Sequence, residues 1–275
     1  MPELRPLRVT VEGGVVAGTE SGSGTPILLL HGLGGTRGYW QRTLELLSGR
    51  ARPIALDLPG FGASDAPTGG FALDSASDRL AEALRALGGA PAVVCGHSLG
   101  GPLAVRFALR HPDAVTRLVL VAPSGLAPAP AWQHRAIRAL PLYGLLQRSP
   151  LAWERWLLPL APLRRAALVP LVERPASVDP AVVGRLVEGA RAARELRAAA
   201  ALSLGTGFAE EARQVAAPIA AIWGDRDRMV PAADAEALLR AVPSATIDIL
   251  PACGHMPMIE RPEAFAALLA RLALE

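Results

Sequence analysis

The chain predicts an α/β fold: a mostly parallel central sheet, helices on both faces, and a helical insertion after the sixth strand. Three observations carry this. Six short apolar runs alternate with helix-length segments of amphipathic spacing. The runs are continuous rather than alternating, as strands buried on both faces of a parallel sheet require. One stretch, residues 126–214, breaks the rhythm and holds no strand-like run.

Taken in order, residues 7–11 and 15–17 flank Gly13-Gly14 and read as an antiparallel hairpin. The apolar runs follow at 26–30, 53–56, 91–95, 117–121, 218–223 and 245–250. Helical spacing occupies 38–47, 75–87, 99–110, 232–241 and 263–272. The expected organisation is a core of residues 1–125 and 215–275, with 126–214 as a helical cap.

Composition narrows the class. Of 275 residues, 51% are hydrophobic, enough for a sizeable core. No apolar run approaches the roughly 18–20 residues of a membrane span. Residues 1–10 carry Glu3, Arg5 and Arg8 and no apolar stretch, so no secretory signal is expected. Cys95 and Cys253 make neither a disulfide framework nor a zinc site and read as buried free thiols. A cytoplasmic location follows as an expectation. All 28 basic residues are Arg, and Lys and Asn are absent. A G+C-rich genome accounts for that; thermostability, with thermolabile Asn avoided, is the alternative. Net charge is +3 and no Arg cluster interleaves with aromatics, so neither nucleic acid nor a membrane is an expected partner. No metal-ligand spacing appears, and no cofactor or metal is expected.

The chemistry starts at Gly96-His97-Ser98-Leu99-Gly100, between a strand run and a helix. A strand that turns sharply into a helix exposes its central hydroxyl, and small flanking residues let the chain pass. The Leu99 amide then stands at a helix start, where it can donate to an anion. A nucleophilic Ser needs a base, and the base an orienting carboxylate. Of five histidines, His97 neighbours Ser98 and should point away from its hydroxyl. His111 precedes Pro112 at a helix end, and His134 lies in the insertion. His255 sits in a loop just after the last strand, where parallel sheets place their sites. For the carboxylate, Asp225 and Asp227 both follow the 218–223 run. The order 98, 227, 255 agrees with Ser, acid, His. His31-Gly32-Leu33-Gly34-Gly35 follows the first parallel run, and its glycines free backbone amides. Leu33, or else Gly34, would be the second oxyanion donor beside Leu99.

Together these segments resemble the α/β-hydrolase superfamily, in its capped branch. His31-Gly32-Leu33-Gly34-Gly35 resembles the HGxGG oxyanion loop, and residues 57–64 the DxxGxGxS turn. Residues 96–101 resemble the GHSxGG elbow. Gly224-Asp225-Arg226-Asp227 resembles the acid loop and selects Asp227. Residues 254–257 with Glu260-Arg261-Pro262 resemble the GHxPxxExP histidine loop. The resemblance implies hydrolysis through an acyl-enzyme, with Ser98 as nucleophile, His255 as base, Asp227 orienting it, and Leu33 and Leu99 holding the oxyanion. A Ser at the elbow disfavours epoxide or haloalkane chemistry, which uses Asp there.

The insertion matches the family's cap only in position and helicity. It carries 12 Arg against 7 acidic residues. That excess suits an acidic partner, such as an acyl-carrier protein, a coenzyme A ester or a carboxylated ring-cleavage product, or simply solvated helix faces. Trp132, Trp153 and Trp156 are candidates for an apolar acyl pocket or for ordinary helix packing. The leading reading is an esterase of small-molecule carboxylic esters of small to medium length. The alternatives are a carbon–carbon hydrolase of a vinylogous diketone acid, a thioesterase or esterase on carrier-bound acyl groups, and a non-enzymatic receptor on the same fold.

Overall fold

The computed structural model describes residues 2–135, 168–205 and 208–275; Trp153 and Trp156 lie outside the described residues. One eight-stranded sheet organises it. The strands are β1 (Arg5–Val11), β2 (Gly14–Glu20), β3 (Pro26–Leu30), β4 (Arg52–Leu56), β5 (Ala92–His97), β6 (Val115–Val121), β7 (Ile219–Gly224) and β8 (Thr246–Leu250). Their order across the sheet is β1-β2-β4-β3-β5-β6-β7-β8. The β1–β2 hairpin turns at Gly13, whose φ of +80° suits a residue without Cβ. It adds antiparallel to β4, and β3 to β8 run parallel.

Side chains alternate across each strand, and both sets are apolar in the centre. In β3, Leu28 and Leu30 face one core, and Ile27 and Leu29 face the other. Over the first core lie α2 (Leu73–Ala86) and α3 (Gly100–Arg110), through Leu80, Leu84, Leu103 and Phe107. The second is covered by α1 (Gln41–Leu47), through Leu44 and Leu47, and by the C-terminal helix (Pro262–Leu274), through Phe265 and Leu269. Helices on both faces are what continuous apolar strands require.

Between β6 and β7 the described residues form α4 (Pro180–Ala192), α5 (Leu196–Ser203) and α6 (Phe208–Ala212). Asp179 caps α4 by accepting the Ala181 N–H at 2.7 Å, with Pro180 in the first helical position. Val183 and Leu186 of α4 join one core, and Ala199 and Phe208 the other. After β7 come α7 (Ala235–Ala241), the short α8 (Pro257–Glu260) and α9 (Pro262–Leu274). No helix among the described residues is long and apolar enough to cross a membrane.

One expectation changes. The run at 245–250 reads as doubly buried, yet β8 is an edge strand with a neighbour on one side only, and Ile249 is 46% exposed. Asp248, on the same strand, pairs with Arg271 at 2.7 Å. Sheet order is a non-local property that a run of apolar letters does not carry. The α8 helix has no counterpart in the periodicity, because four residues are too few to show a helical period. Both cysteines are free and buried, as expected.

Leu28 lies wholly buried on β3, between β4 and β5. Leu28→Ala is expected to cost about 3 kcal/mol of stability. Chemical denaturation should show it as a lower midpoint with an unchanged slope.

Candidate active site

Strand β5 ends at His97 and α3 begins at Gly100, so the chain reverses within two residues. Ser98 sits in the turn with φ of +52°. For a residue with a side chain that conformation costs about 1–3 kcal/mol. The glycines around it are sterically required. A Cβ on Gly96 would lie 2.1 Å from the Gly100 carbonyl oxygen. One on Gly100 would lie 2.5 Å from that of Leu30, and one on Gly101 2.4 Å from Pro123 Cβ. Backbone bonds hold the strained residue. The Ser98 N–H donates to Val121 O at 3.0 Å, and Ser98 O accepts from the amides of Gly101 (2.8 Å) and Ser124 (3.2 Å).

The loop after β3 packs directly on this turn. A Cβ on Gly32 would stand 3.0 Å from Ser98 Cβ. A turn from Gly32 to Gly35, closed by the Gly35 N–H donating to Gly32 O at 3.0 Å, takes Gly34 to a φ of +67°. Leu33 and Gly34 are its central residues, whose amides have no acceptor inside the turn. The Leu99 amide, at the start of α3, has no intrahelical acceptor either. These are the amides expected from the sequence as oxyanion donors.

His31 sets the loop's orientation from below. The Leu58 N–H donates to its Nε2 at 3.0 Å, so Nε2 is unprotonated and Nδ1–H donates to Gly32 O at 2.8 Å. Leu58 belongs to the turn after β4, which Asp57 closes. Asp57 accepts the amides of Arg37 (2.7 Å) and Ala63 (2.9 Å) and pairs with the Arg37 guanidinium. A Cβ on Gly62 would collide with this carboxylate at 2.3 Å.

The candidate acid and base meet at the far end of the sheet. His255 Nδ1–H donates to Asp227 Oδ2 at 2.7 Å, and both residues are buried. Asp227 Oδ1 accepts the amides of Met229 (2.8 Å) and Val230 (2.9 Å), which fixes the carboxylate plane. Asp225 plays a different part. Its Oδ1 accepts the Cys253 N–H at 3.2 Å, tying the acid loop to the histidine loop. The choice between the two carboxylates therefore falls on Asp227.

His97 turns away from Ser98, as expected, and finds a partner the sequence did not show. Its Nε2–H donates to the His255 carbonyl at 2.8 Å, and the two rings lie 4.8 Å apart. The residue before Ser98 thus carries the loop that holds His255. Glu260 was part of the motif without a role. It accepts the amides of Gly254 (2.9 Å) and Met256 (3.4 Å), one on each side of His255. Burial pushes its carboxyl up, against the pull of those amides. Burial likewise pushes the Cys253 thiol up to about 12, far from any nucleophilic role at neutral pH.

Trp132 is 43% exposed, beside Gln133, whose side chain donates to Met229 O at 2.6 Å. Among the described residues, a cleft of about 330 Å³ opens between α4 and the Thr36–Gln41 turn, lined by Arg37, Asp57, Arg185 and Glu188. Neither Ser98 nor His255 lines it.

His31 and His97 are both held below their ordinary value of 6.5, first of all by burial. At His31 the nearby Asp57 opposes that shift and Arg37 reinforces it; at His97 the His255 imidazole reinforces it. Once unfolded, each binds its proton near pH 6.5, so below that value the unfolded chain holds more protons. The stability of the neutral, buried imidazoles is complete above pH 6.5 and is lost as pH falls toward the folded values. Each histidine contributes a slope of up to about 1.4 kcal/mol per pH unit. Tm is expected to fall between about pH 7.5 and about pH 5.5, and His31→Gln to flatten the fall. A Tm that holds or rises over this interval contradicts the neutral assignment.

Comparison with known proteins agrees with this architecture. Residues 25–262 match the family model of the alpha/beta hydrolase fold. The chain is 32% identical over 262 residues to the dihydrolipoyllysine-residue acetyltransferase component of an acetoin cleaving system from Pseudomonas putida. That match covers 94% of this chain and 66% of the relative, so the chain spans just under two thirds of that protein's length. It is 32% identical over 252 residues to a pimeloyl-[acyl-carrier protein] methyl ester esterase from Chromobacterium violaceum, covering 90% of this chain and 94% of the relative. A malate-bound thermophilic esterase from Thermogutta terrifontis aligns over 97% of each chain, with a TM-score of 0.77 and 25% identity. With most of its length matched by the family model and its sheet and loops in the expected order, this chain is a member of the alpha/beta hydrolase fold family.

Proposed function

We propose that the chain is a serine hydrolase that cleaves carboxylic esters of small to medium length through an acyl-enzyme. The observation that carries this is the buried His255–Asp227 hydrogen bond of 2.7 Å, in a loop whose His255 carbonyl is bonded by His97, the residue before the strained Ser98. Residues 126–214 act in this reading as a cap over the site, with Trp132, Trp153 and Trp156 available to an acyl chain.

The steps follow from the residue types. Ser98 Oγ attacks the ester carbonyl carbon while His255 Nε2 takes its proton. Asp227 keeps the other ring nitrogen protonated and stabilises the imidazolium. The developing oxyanion takes the amides of Leu33 and Leu99, each worth about 3 kcal/mol of transition-state stabilisation. His255 then gives its proton to the leaving oxygen, the C–O bond breaks and the alcohol departs. Water adds to the acyl-enzyme by the same path, releasing the acid and restoring Ser98. Every proton in the cycle passes through His255.

A second reading has its own support. The esterase from Chromobacterium violaceum is named for an acyl-carrier-protein substrate, and the insertion here holds 12 Arg against 7 acidic residues. A carrier-bound acyl ester is an acidic substrate that such a surface would attract.

A p-nitrophenyl ester series from acetate to palmitate tests the first reading. Wild type is expected to turn over the shorter members, and Ser98→Ala to lose roughly 10⁴-fold or more in kcat. Asp227→Asn is expected to lose on the order of 10³–10⁴-fold with little change in KM, because the wrong tautomer is favoured. A folded wild type inert to every simple ester but active on an acyl-carrier-protein methyl ester moves the assignment to the carrier-bound substrate.

A further inference from the structure

Three consecutive amides surround the candidate base, and each is anchored. The N–H groups of Gly254 and Met256 donate to one oxygen of Glu260, at 2.9 and 3.4 Å. Between them, the His255 N–H donates to Leu171 O, at 3.0 Å. Leu171 belongs to the insertion, as does Glu173, whose N–H donates to the other Glu260 oxygen at 2.7 Å. One half-buried carboxylate therefore bonds both the histidine loop and the insertion. The acid loop is attached to the same place. Arg228, next to Asp227, donates to Val169 O at 3.1 Å and pairs with the Glu173 carboxylate at 3.0 Å. Residues 169–173 thus touch the loops of both the acid and the base.

The packing leaves no slack at the join. A Cβ on Gly254 would lie 2.8 Å from the Glu173 nitrogen and 2.9 Å from Glu260 Oε1. Besides these donors, the charged and titratable groups acting on Glu260 are Asp227 and the Cys253 thiol, and Arg261 acts on that thiol. Arg261 itself is turned onto the Ala252 carbonyl. Glu260 is too far along the loop to be a proton carrier in the cycle above, since Asp227 already occupies His255 Nδ1.

We propose that Glu260 is a positioning residue for His255, and that with Leu171, Glu173 and Arg228 it forms a clamp through which the seating of the cap sets the alignment of acid and base. The clamp rests on the reading of Ser98, His255 and Asp227 given above. It makes the cap's inner segment part of the machinery that orients the base, besides any role in covering substrate. Lifting the cap's residues 169–173 from the core loops releases the His255 amide and the Glu260 oxygen together.

Glu260→Gln tests it with little change of volume. Glutamine has one acceptor oxygen, so its NH₂ must face either the histidine-loop amides or the Glu173 amide, and one leg of the clamp opens. Arg228→Gln opens the acid-loop leg. The fraction of reactive Ser98 is counted with a fluorophosphonate probe, and kcat for a p-nitrophenyl ester is expressed per reactive site. Each variant is expected to lose roughly 10- to 100-fold in kcat with KM within about 3-fold, as for a misaligned base. The double variant should lose less than the product of the two, since both act through one clamp.

Variants with wild-type kcat per site, whatever their Tm, overturn the clamp and leave Glu260 a structural residue. A folded wild type that takes no fluorophosphonate, or a Ser98→Ala chain equally reactive toward esters, overturns the serine-hydrolase reading and the clamp with it. The two failures are thus read from different samples.

Discussion

The left-handed backbone at Ser98 is the constraint on which the rest of the arrangement depends. A side-chain-bearing residue stays there only if its surroundings leave no easier path. Here the surroundings are other backbones. The Leu30 carbonyl closes one side, where only Gly100 fits, and Pro123 closes another, where only Gly101 fits. Those contacts are available because β3 and β6 are the two neighbours of β5 in the sheet. The elbow and the central strand order are therefore one steric solution. It also brings the loop after β3 to Ser98, because Gly32 continues from the strand that crowds Gly100.

Around that fixed point the loops are held mainly by polar side chains that bond backbone amides and carbonyls. His31 joins two turns, Asp57 closes its own, Asp225 joins the acid and histidine loops, and Glu260 holds both flanks of His255. A hydrogen bond to a charged group contributes about 1.5–3 kcal/mol, and its loss inside the protein leaves a desolvated amide behind. Such bonds also specify direction, which apolar contact does not. A site that must keep a ring nitrogen 2.7 Å from a carboxylate needs directional support. The apolar layers on either side of the sheet supply the stability, and the carboxylates and imidazoles of the loops supply the geometry.

This division explains what was legible in the sequence. The elbow, the glycine loop and the order of Ser98, Asp227 and His255 stand out because steric exclusion at a tight turn demands particular letters, above all glycine. The strands stand out where both faces are buried, as in β3 and β5. The place of β8 at the sheet edge showed only in Thr246 and Asp248 interrupting its run, since apolar letters state burial and not which neighbours provide it. The roles of His97 and Glu260 were hidden for another reason. Their partners are the His255 carbonyl and the amides of Gly254, Met256 and Glu173, and a backbone atom has no letter of its own. The choice between Asp225 and Asp227 was similarly beyond residue types alone. Both carboxylates accept backbone amides, and they are told apart by the imidazole that reaches only Asp227.

The same division bears on how substrate preference and alignment can coexist in one insertion. Where the described insertion meets the core loops, at least one partner is usually a backbone atom. The Arg194 N–H donates to Gly60 O at 2.8 Å, and Glu195 accepts the Phe71 N–H at 3.1 Å. Gln133 donates to Met229 O, and the His255 N–H to Leu171 O. A bond to a main-chain carbonyl survives any substitution that keeps the backbone path. The Leu171 side chain plays no part in its bond to His255, whereas Gly60 admits no side chain, since a Cβ there would lie 2.3 Å from Glu195 Cγ. Apolar or basic residues facing a substrate can therefore change while His255 and Asp227 keep their positions. Under the proposed esterase reading, such an attachment lets one site serve different acyl and alcohol groups, and the insertion is the part of the chain whose sequence pattern constrains the substrate least.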